Sequence, residues 1–125
     1  MTEPIVFILS EDAQICQSIR ALVESAGLRA FTFSTLRAFL DAVEPESRGC
    51  LVFYPGDDTL GDPERRAQLA AACAGRPGIL IIERGNVPLA IQALKSGITE
   101  VVQKPYRDKD LLDCIEKVLE GSSTV

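Results

Sequence analysis

The chain has 125 residues, 46% of them apolar and 25% charged, with 13 Lys and Arg against 18 Asp and Glu for a net charge of −5. That length makes one domain with a real core, and the acidic balance argues against direct nucleic-acid binding, which calls for a basic face. No apolar run approaches the length of a membrane span and no basic leader precedes one, so neither secretion nor insertion is expected. Cys16, Cys50, Cys73 and Cys114 lie far apart and histidine is absent, which leaves no ligand set for zinc and predicts buried free thiols in a reducing cytoplasm.

The chain alternates strand and helix signals. Ile5 to Leu9 (IVFIL) is a short apolar strand. Ile15, Ile19, Leu22, Val23 and Ala26 then recur at helical spacing until Gly27 closes the helix. Leu28 to Phe33 alternates as a half-exposed edge strand does, and Ser34 is expected to cap a helix carrying Leu36, Phe39, Leu40 and Val43.

The third strand is the stretch GCLVFYPGDD, residues 49–58. Cys50 to Phe53 reads as buried on both faces, and Tyr54 stands at its tip. Pro55-Gly56 breaks it, and Asp57 and Asp58 follow at once. Asp62 caps and Pro63 opens an alanine-rich third helix through Ala74, ended by Gly75 to Gly78. Ile79 to Ile82 is a fourth strand, and Asn86 caps a helix stopped by Gly97. Ile98 to Val102 is the fifth strand. Asp108 is expected to cap a last helix whose apolar face is Leu111, Leu112, Ile115, Val118 and Leu119, ending before Gly121. Residues 1–121 thus form the domain and 122–125 a polar tail or the start of a linker.

Five strands and five helices in strict alternation predict an α/β, doubly wound parallel sheet of order 2-1-3-4-5. In such sheets ligands sit beyond the carboxyl ends of the strands. Those ends carry Ser10-Glu11-Asp12, Tyr54, Ile82-Glu83-Arg84 and Gln103-Lys104-Pro105-Tyr106. The first loop is acidic and lacks glycine, so it would repel a phosphate rather than cradle it. Glu11 and Asp12 are either ligands for a hard cation such as magnesium or first-turn acids favoured by the helix dipole. Lys104 is either a solvated strand-end lysine or a fixed cation facing the acid cluster, and Lys-Pro there suggests a turn with a candidate cis bond.

From Pro4 to Glu120 the pattern resembles the receiver domain of bacterial two-component response regulators, a CheY-like, flavodoxin-like fold. The likeness is greatest to receivers of the nitrogen-fixation regulator type, which precede a helix-turn-helix domain. Its most specific stretch is ILIIERGNVPLAIQALKSGITEVVQKPY, residues 79–106. In that family the site comprises two acids after the first strand, an aspartate ending the third, a Ser or Thr ending the fourth and a lysine ending the fifth. The aspartate takes a phosphoryl group from a histidine kinase with magnesium as helper ion.

Carried over by position, the resemblance places the first acid at Ser10 and the second at Glu11, with Asp12 next. It places the phosphoacceptor at Tyr54, the hydroxyl residue at Ile82, the lysine at Lys104 and the aromatic switch at Tyr106. Ser10, Tyr54 and Ile82 depart from the pattern. A phenol forms no acyl phosphate and, with a usual pKa of about 10, stays neutral at pH 7.

The resemblance therefore implies a degenerate receiver, an interaction module rather than an enzyme, with no cofactor and at most weak magnesium binding through Glu11 and Asp12. Two alternatives remain at this point. Asp57 or Asp58 takes over as acceptor, or the vacated pocket binds a small molecule through Tyr54, Glu11 and Lys104. The resemblance also implies a protein partner or a homodimer formed by the fourth helix, fifth strand and fifth helix. Leu89, Lys95, Glu100, Arg107, Asp108 and Lys109 are the candidate contacts. A DNA-binding output domain would lie in a longer parent chain, and no membrane is involved.

Overall fold

The computed structural model describes residues 4–44, 47–55 and 62–123, with side chains through Glu120. The elements are β1 (Ile5–Ser10), α1 (Ala13–Ser25), β2 (Arg29–Phe33), α2 (Leu36–Ala42), β3 (Gly49–Tyr54), α3 (Pro63–Cys73), β4 (Gly78–Ile82), α4 (Val87–Lys95), β5 (Glu100–Gln103) and α5 (Asp108–Ser123). All five strands are parallel and their order is β2-β1-β3-β4-β5, as the alternation predicts. Among the described residues no helix is long and apolar enough to cross a membrane.

The two-residue period of the strands divides the core. Phe7, Leu9, Leu51, Phe53, Leu80 and Ile82 point to one face and pack against Leu36, Phe39, Leu69, Leu89 and Ala93 of α2, α3 and α4. Val6, Ile8, Cys50, Val52, Ile79 and Ile81 point to the other and meet Cys16, Ile19 and Val23 of α1 with Leu111, Ile115 and Val118 of α5. β1, β3 and β4 are apolar throughout because both of their faces are covered. β2, at the sheet edge, exposes Arg29 and Phe31 while burying Ala30. On the first face Phe39 is fully buried, its ring meeting Phe7 at 5.3 Å and 74° and Phe33 at 5.5 Å and 87°. Edge-to-face pairs of this kind add about 0.5–1.5 kcal/mol each beyond area burial.

Packing demands glycine at the start of β3. Gly49 has φ +145°, and a Cβ there would stand 1.9 Å from the Ile5 carbonyl oxygen. Only glycine lets β3 start so close to β1.

Several boundaries differ from the sequence expectation. Thr35, not Ser34, caps α2, its hydroxyl accepting the Ala38 amide at 3.0 Å. Asp108 lies inside the first turn of α5, since the Leu111 amide already bonds the Arg107 carbonyl at 3.2 Å. α5 does not stop before Gly121 but continues to Ser123. β5 begins at Glu100, because the Ile98 amide instead bonds the Ala93 carbonyl at 3.0 Å and closes the end of α4. Asp62 and Asn86 cap α3 and α4 as expected. All four cysteines are free, with Cys114 half-buried and the other three buried.

Candidate functional site at the carboxyl edge of the sheet

The tip of β1 is organised by capping. Ser10 is buried, and its hydroxyl accepts the Asp12 amide at 3.1 Å. Asp12 Oδ1 accepts the amides of Gln14 at 3.0 Å and Ile15 at 3.3 Å. Asp12 is therefore the N-cap of α1, one step outside the first turn where the dipole reading put it. Glu11 is exposed.

Tyr54, paired in register with Ser10, tips towards the α1/α5 face and packs against that side of the core. Its hydroxyl donates to Glu83 Oε1. Lys104 Nζ lies 4.8 Å from the centre of the Tyr54 ring and 3.9 Å from the same Glu83 oxygen. Lys104 thus turns to Glu83, and not to the acid cluster after β1 as the fixed-cation reading expected.

Glu83 is the site residue that the sequence places at the end of the fourth strand without giving it a role. The signal lay in the register. Ile82 pairs with Gln103, and the Lys104 amide bonds the Ile82 carbonyl at 2.9 Å. The next residues on the two strands, Glu83 and Lys104, are therefore neighbours of opposite charge.

Ile82 is buried on the α2/α3/α4 face. The Lys104–Pro105 bond is cis, as the Lys-Pro turn suggested. Tyr106 is half-buried, and burial, with Asp108 nearby, pushes its pKa up. With Ile15, Ser18, Tyr54, Ile81 and Lys104 it lines a cavity of about 210 Å³. A second cleft, about 370 Å³, opens on the other side of Tyr54 between the loops of β1 and β2 and the start of α3, and Glu11, Arg37, Asp62 and Arg65 are among its walls. The three polar contacts expected of one vacated pocket are thus divided. Glu11 faces the larger cleft, Lys104 the smaller, and Tyr54 walls both. Asp57 and Asp58 lie outside the described residues.

On the expected contact face, Lys95, Arg107, Asp108 and Lys109 are exposed. Leu89 is not available for contact. It is buried in the core, because the phase of α4 turns it inward. Glu100 is committed within the chain to Lys117 at 2.9 Å. The apolar residues that α4 does present are Val87, Ile91 and Leu94, 58%, 48% and 52% exposed.

No protein-family model matches the chain. The response regulator protein TmoT of Ectopseudomonas mendocina is 31% identical over 118 residues, covering 94% of this chain and 54% of that protein. The transcriptional regulatory protein FixJ of Bradyrhizobium diazoefficiens is 32% identical over 117 residues, covering 91% of this chain and 56% of that one. The solved structure of the response regulator StyR superposes with a TM-score of 0.81 at 33% identity, covering 98% of this chain and 62% of that one. Over nearly its whole length the chain is similar to response regulators, and its fold is that of a receiver domain. It spans about half the length of the curated relatives it matches.

The resemblance to receivers implies a magnesium ion beside the phosphoacceptor. The described residues do not fit one. The Ser10 hydroxyl and Asp12 Oδ1 already accept backbone amides, Tyr54 brings a phenol in place of a carboxylate, and among the described residues no three His, Cys, Asp or Glu gather as a metal group. Magnesium prefers several oxygen ligands in octahedral array, carboxylates foremost.

Proposed function

We propose that this receiver is degenerate. It acts in two-component signalling by binding a protein partner or a second copy of itself, independently of phosphorylation and without magnesium, and it is not an enzyme. The observation that carries the reading is Tyr54, which stands where the family's acceptor aspartate would and gives its hydroxyl to Glu83. An acyl phosphate at this tip would bring about two negative charges next to Glu83 and near Glu11. Lys104 is the cation beside that tip, and Ile82 has no hydroxyl to donate. The domain works in the cytoplasm as the front of a longer transcription regulator whose DNA contacts lie in another domain.

The test is to treat wild type, Tyr54→Asp and the triple variant Ser10→Asp, Tyr54→Asp, Ile82→Thr with acetyl phosphate and magnesium, then read intact mass. Only the triple variant is expected to gain a phosphoryl group in quantity. Stoichiometric labelling of the wild type would overturn the reading, and Asp57 and Asp58 would be the first positions to map.

Self-association through α4, β5 and α5 is supported by the stripe Val87, Ile91 and Leu94, spaced along one side of α4 and exposed. Its centre is tested by Ile91→Glu in sedimentation velocity. Wild type is expected to form a concentration-dependent dimer and the variant to stay monomeric. A wild type that remains monomeric at its highest soluble concentration would remove this part of the proposal.

A further inference from the structure

The ends of β3, β4 and β5 meet at one carboxylate. Glu83 Oε1 accepts from the Tyr54 hydroxyl and lies 3.9 Å from Lys104 Nζ, while Lys104 rests 4.8 Å above the Tyr54 ring. Each of the three side chains touches the other two. We infer that Glu83 is the resident counter-charge of Lys104 and that, with Tyr54, it forms a clasp holding the β4–α4 loop and the first turn of α4 in one position.

The connection runs through Glu83 because it belongs to both structures. Its carbonyl accepts the Asn86 amide at 3.1 Å, closing the turn that precedes α4. Asn86 then caps the helix, its side-chain oxygen accepting the Leu89 amide at 3.4 Å and its carbonyl the Ala90 amide at 3.3 Å. Gly85, within the same turn, donates to the Gln103 side chain at 3.4 Å. The loop is thus fastened to β5 through Gln103 and Lys104, and to β3 through Tyr54.

An ion pair between side chains 35% and 51% exposed is weak by itself. Here the carboxylate also accepts a phenol hydrogen bond, which is stronger for the charge on its acceptor, and the cation gains the face of a ring. The clasp needs no phosphoryl group to close. It fixes the helix that carries Val87, Ile91 and Leu94, and so presents that apolar stripe permanently. The inference rests on Tyr54 as a retired acceptor, but its test reads motion rather than phosphorylation.

Amide hydrogen exchange should be followed over residues 83–95 in wild type, Tyr54→Phe, Glu83→Gln and the double variant. Tyr54→Phe keeps the ring and removes only the hydroxyl, so it is expected to fold. Each single change should speed exchange of the Leu89 and Ala90 amides about fivefold, with β1 and β2 unchanged. The double variant should add little to either single one, because the two groups act through one contact. Exchange at Leu89 and Ala90 unchanged in both single variants, or fully independent effects in the double, would overturn the clasp. Phosphoryl labelling of the wild type would instead overturn the degenerate reading and leave the exchange result standing.

Discussion

Among the cations that lie over aromatic rings, Arg76 and Lys104 sit at opposite ends of the sheet and are held in different ways. Arg76 sits just before β4, with its guanidinium 5.2 Å from the Phe39 ring and 5.7 Å from the Phe7 ring. It is 6% exposed and donates to the carbonyls of Ala72 at 2.9 Å, Glu44 at 3.0 Å and Ser47 at 3.4 Å. Burial lowers its pKa, and Cys73 nearby opposes that shift. Lys104, at the other edge, is part-exposed and pairs with a carboxylate itself half in water. The rigid fork of Arg76 ties the end of α3 to the α2–β3 connection and lies under a closed core. Lys104 ties side chains that water can also satisfy. A cation held by backbone and rings belongs to the fold, whereas one held by a hydrated carboxylate belongs to the site.

The sharpest way to break that contrast is Arg76→Ala. It removes a buried side chain packed on two rings and strands three carbonyls, so a loss of about 3 kcal/mol is expected. Arg76→Lys should recover less than half, because an ammonium cannot span the separated carbonyls as a planar fork does. Urea denaturation measures both. A cost below about 1 kcal/mol for the alanine variant would make Arg76 an ordinary surface-type residue and dissolve the comparison.

Alkaline pH acts on the buried thiols. Burial pushes Cys50 up to about 12, with Cys114 adding to the shift. Burial likewise pushes Cys73 up to about 11, against a smaller lowering by Arg76. A raised folded pKa means that the unfolded chain releases its protons first. The stabilisation from these thiols is complete below their unfolded pKa of about 8.5 and is lost as pH climbs through the folded values. Stability should therefore fall from about pH 9 upward, by about 1–2 kcal/mol per thiol at pH 10. Tyr106, also raised, adds a loss of the same sign at higher pH. Denaturant midpoints taken under reducing conditions follow the decline, and Cys50→Ala or Cys73→Ala should each flatten it by roughly half. A profile flat to pH 10 would contradict the burial of these thiols.

The legibility of the molecule follows from how local each signal is. β1, β3 and β4 announce themselves as unbroken apolar runs because helices cover both of their faces, and the caps Asp62 and Asn86 announce themselves next to Pro63 and Val87. Ser34 and Thr35 are adjacent hydroxyl residues, and only the position of the Ala38 amide chooses between them. Ile98 is apolar whether it extends β5 or closes α4, so sequence alone drew it into the strand. The tips Tyr54 and Lys104 could be placed because a parallel sheet of known order puts its carboxyl ends together. The same reasoning put Glu83 at that edge but not in its role, which depends on register between residues 21 positions apart in the chain. Leu89 entered the contact face through the resemblance, whereas the phase of α4 turns it into the core and leaves Val87, Ile91 and Leu94 exposed. Arg76 lay hidden among the glycines that end α3, and the carbonyls it binds come from α3 and the α2–β3 connection.

The smallest expected effect completes the contrast at its other end. Lys104→Met removes the pair to Glu83 and the cation over the Tyr54 ring. The first is screened by water and contributes about 0–1 kcal/mol, and the second about 0.5–1 kcal/mol at such a site. Methionine returns part of this, since its thioether packs well against an aromatic ring. Glu83 keeps the Tyr54 hydroxyl, so no carboxylate is left buried without a donor. The net change in unfolding free energy should stay within about 1 kcal/mol, well under the cost of Arg76→Ala. It should also shrink at about 1 M salt, where charges are screened beyond about 3 Å, while the Arg76→Ala cost persists because its guanidinium is shut away from ions. Denaturant midpoints of the two variants at low and high salt settle the matter. If Lys104→Met costs as much as Arg76→Ala, or if its cost is indifferent to salt, then Lys104 is a structural cation too, and the carboxyl edge is built as rigidly as the core beneath it.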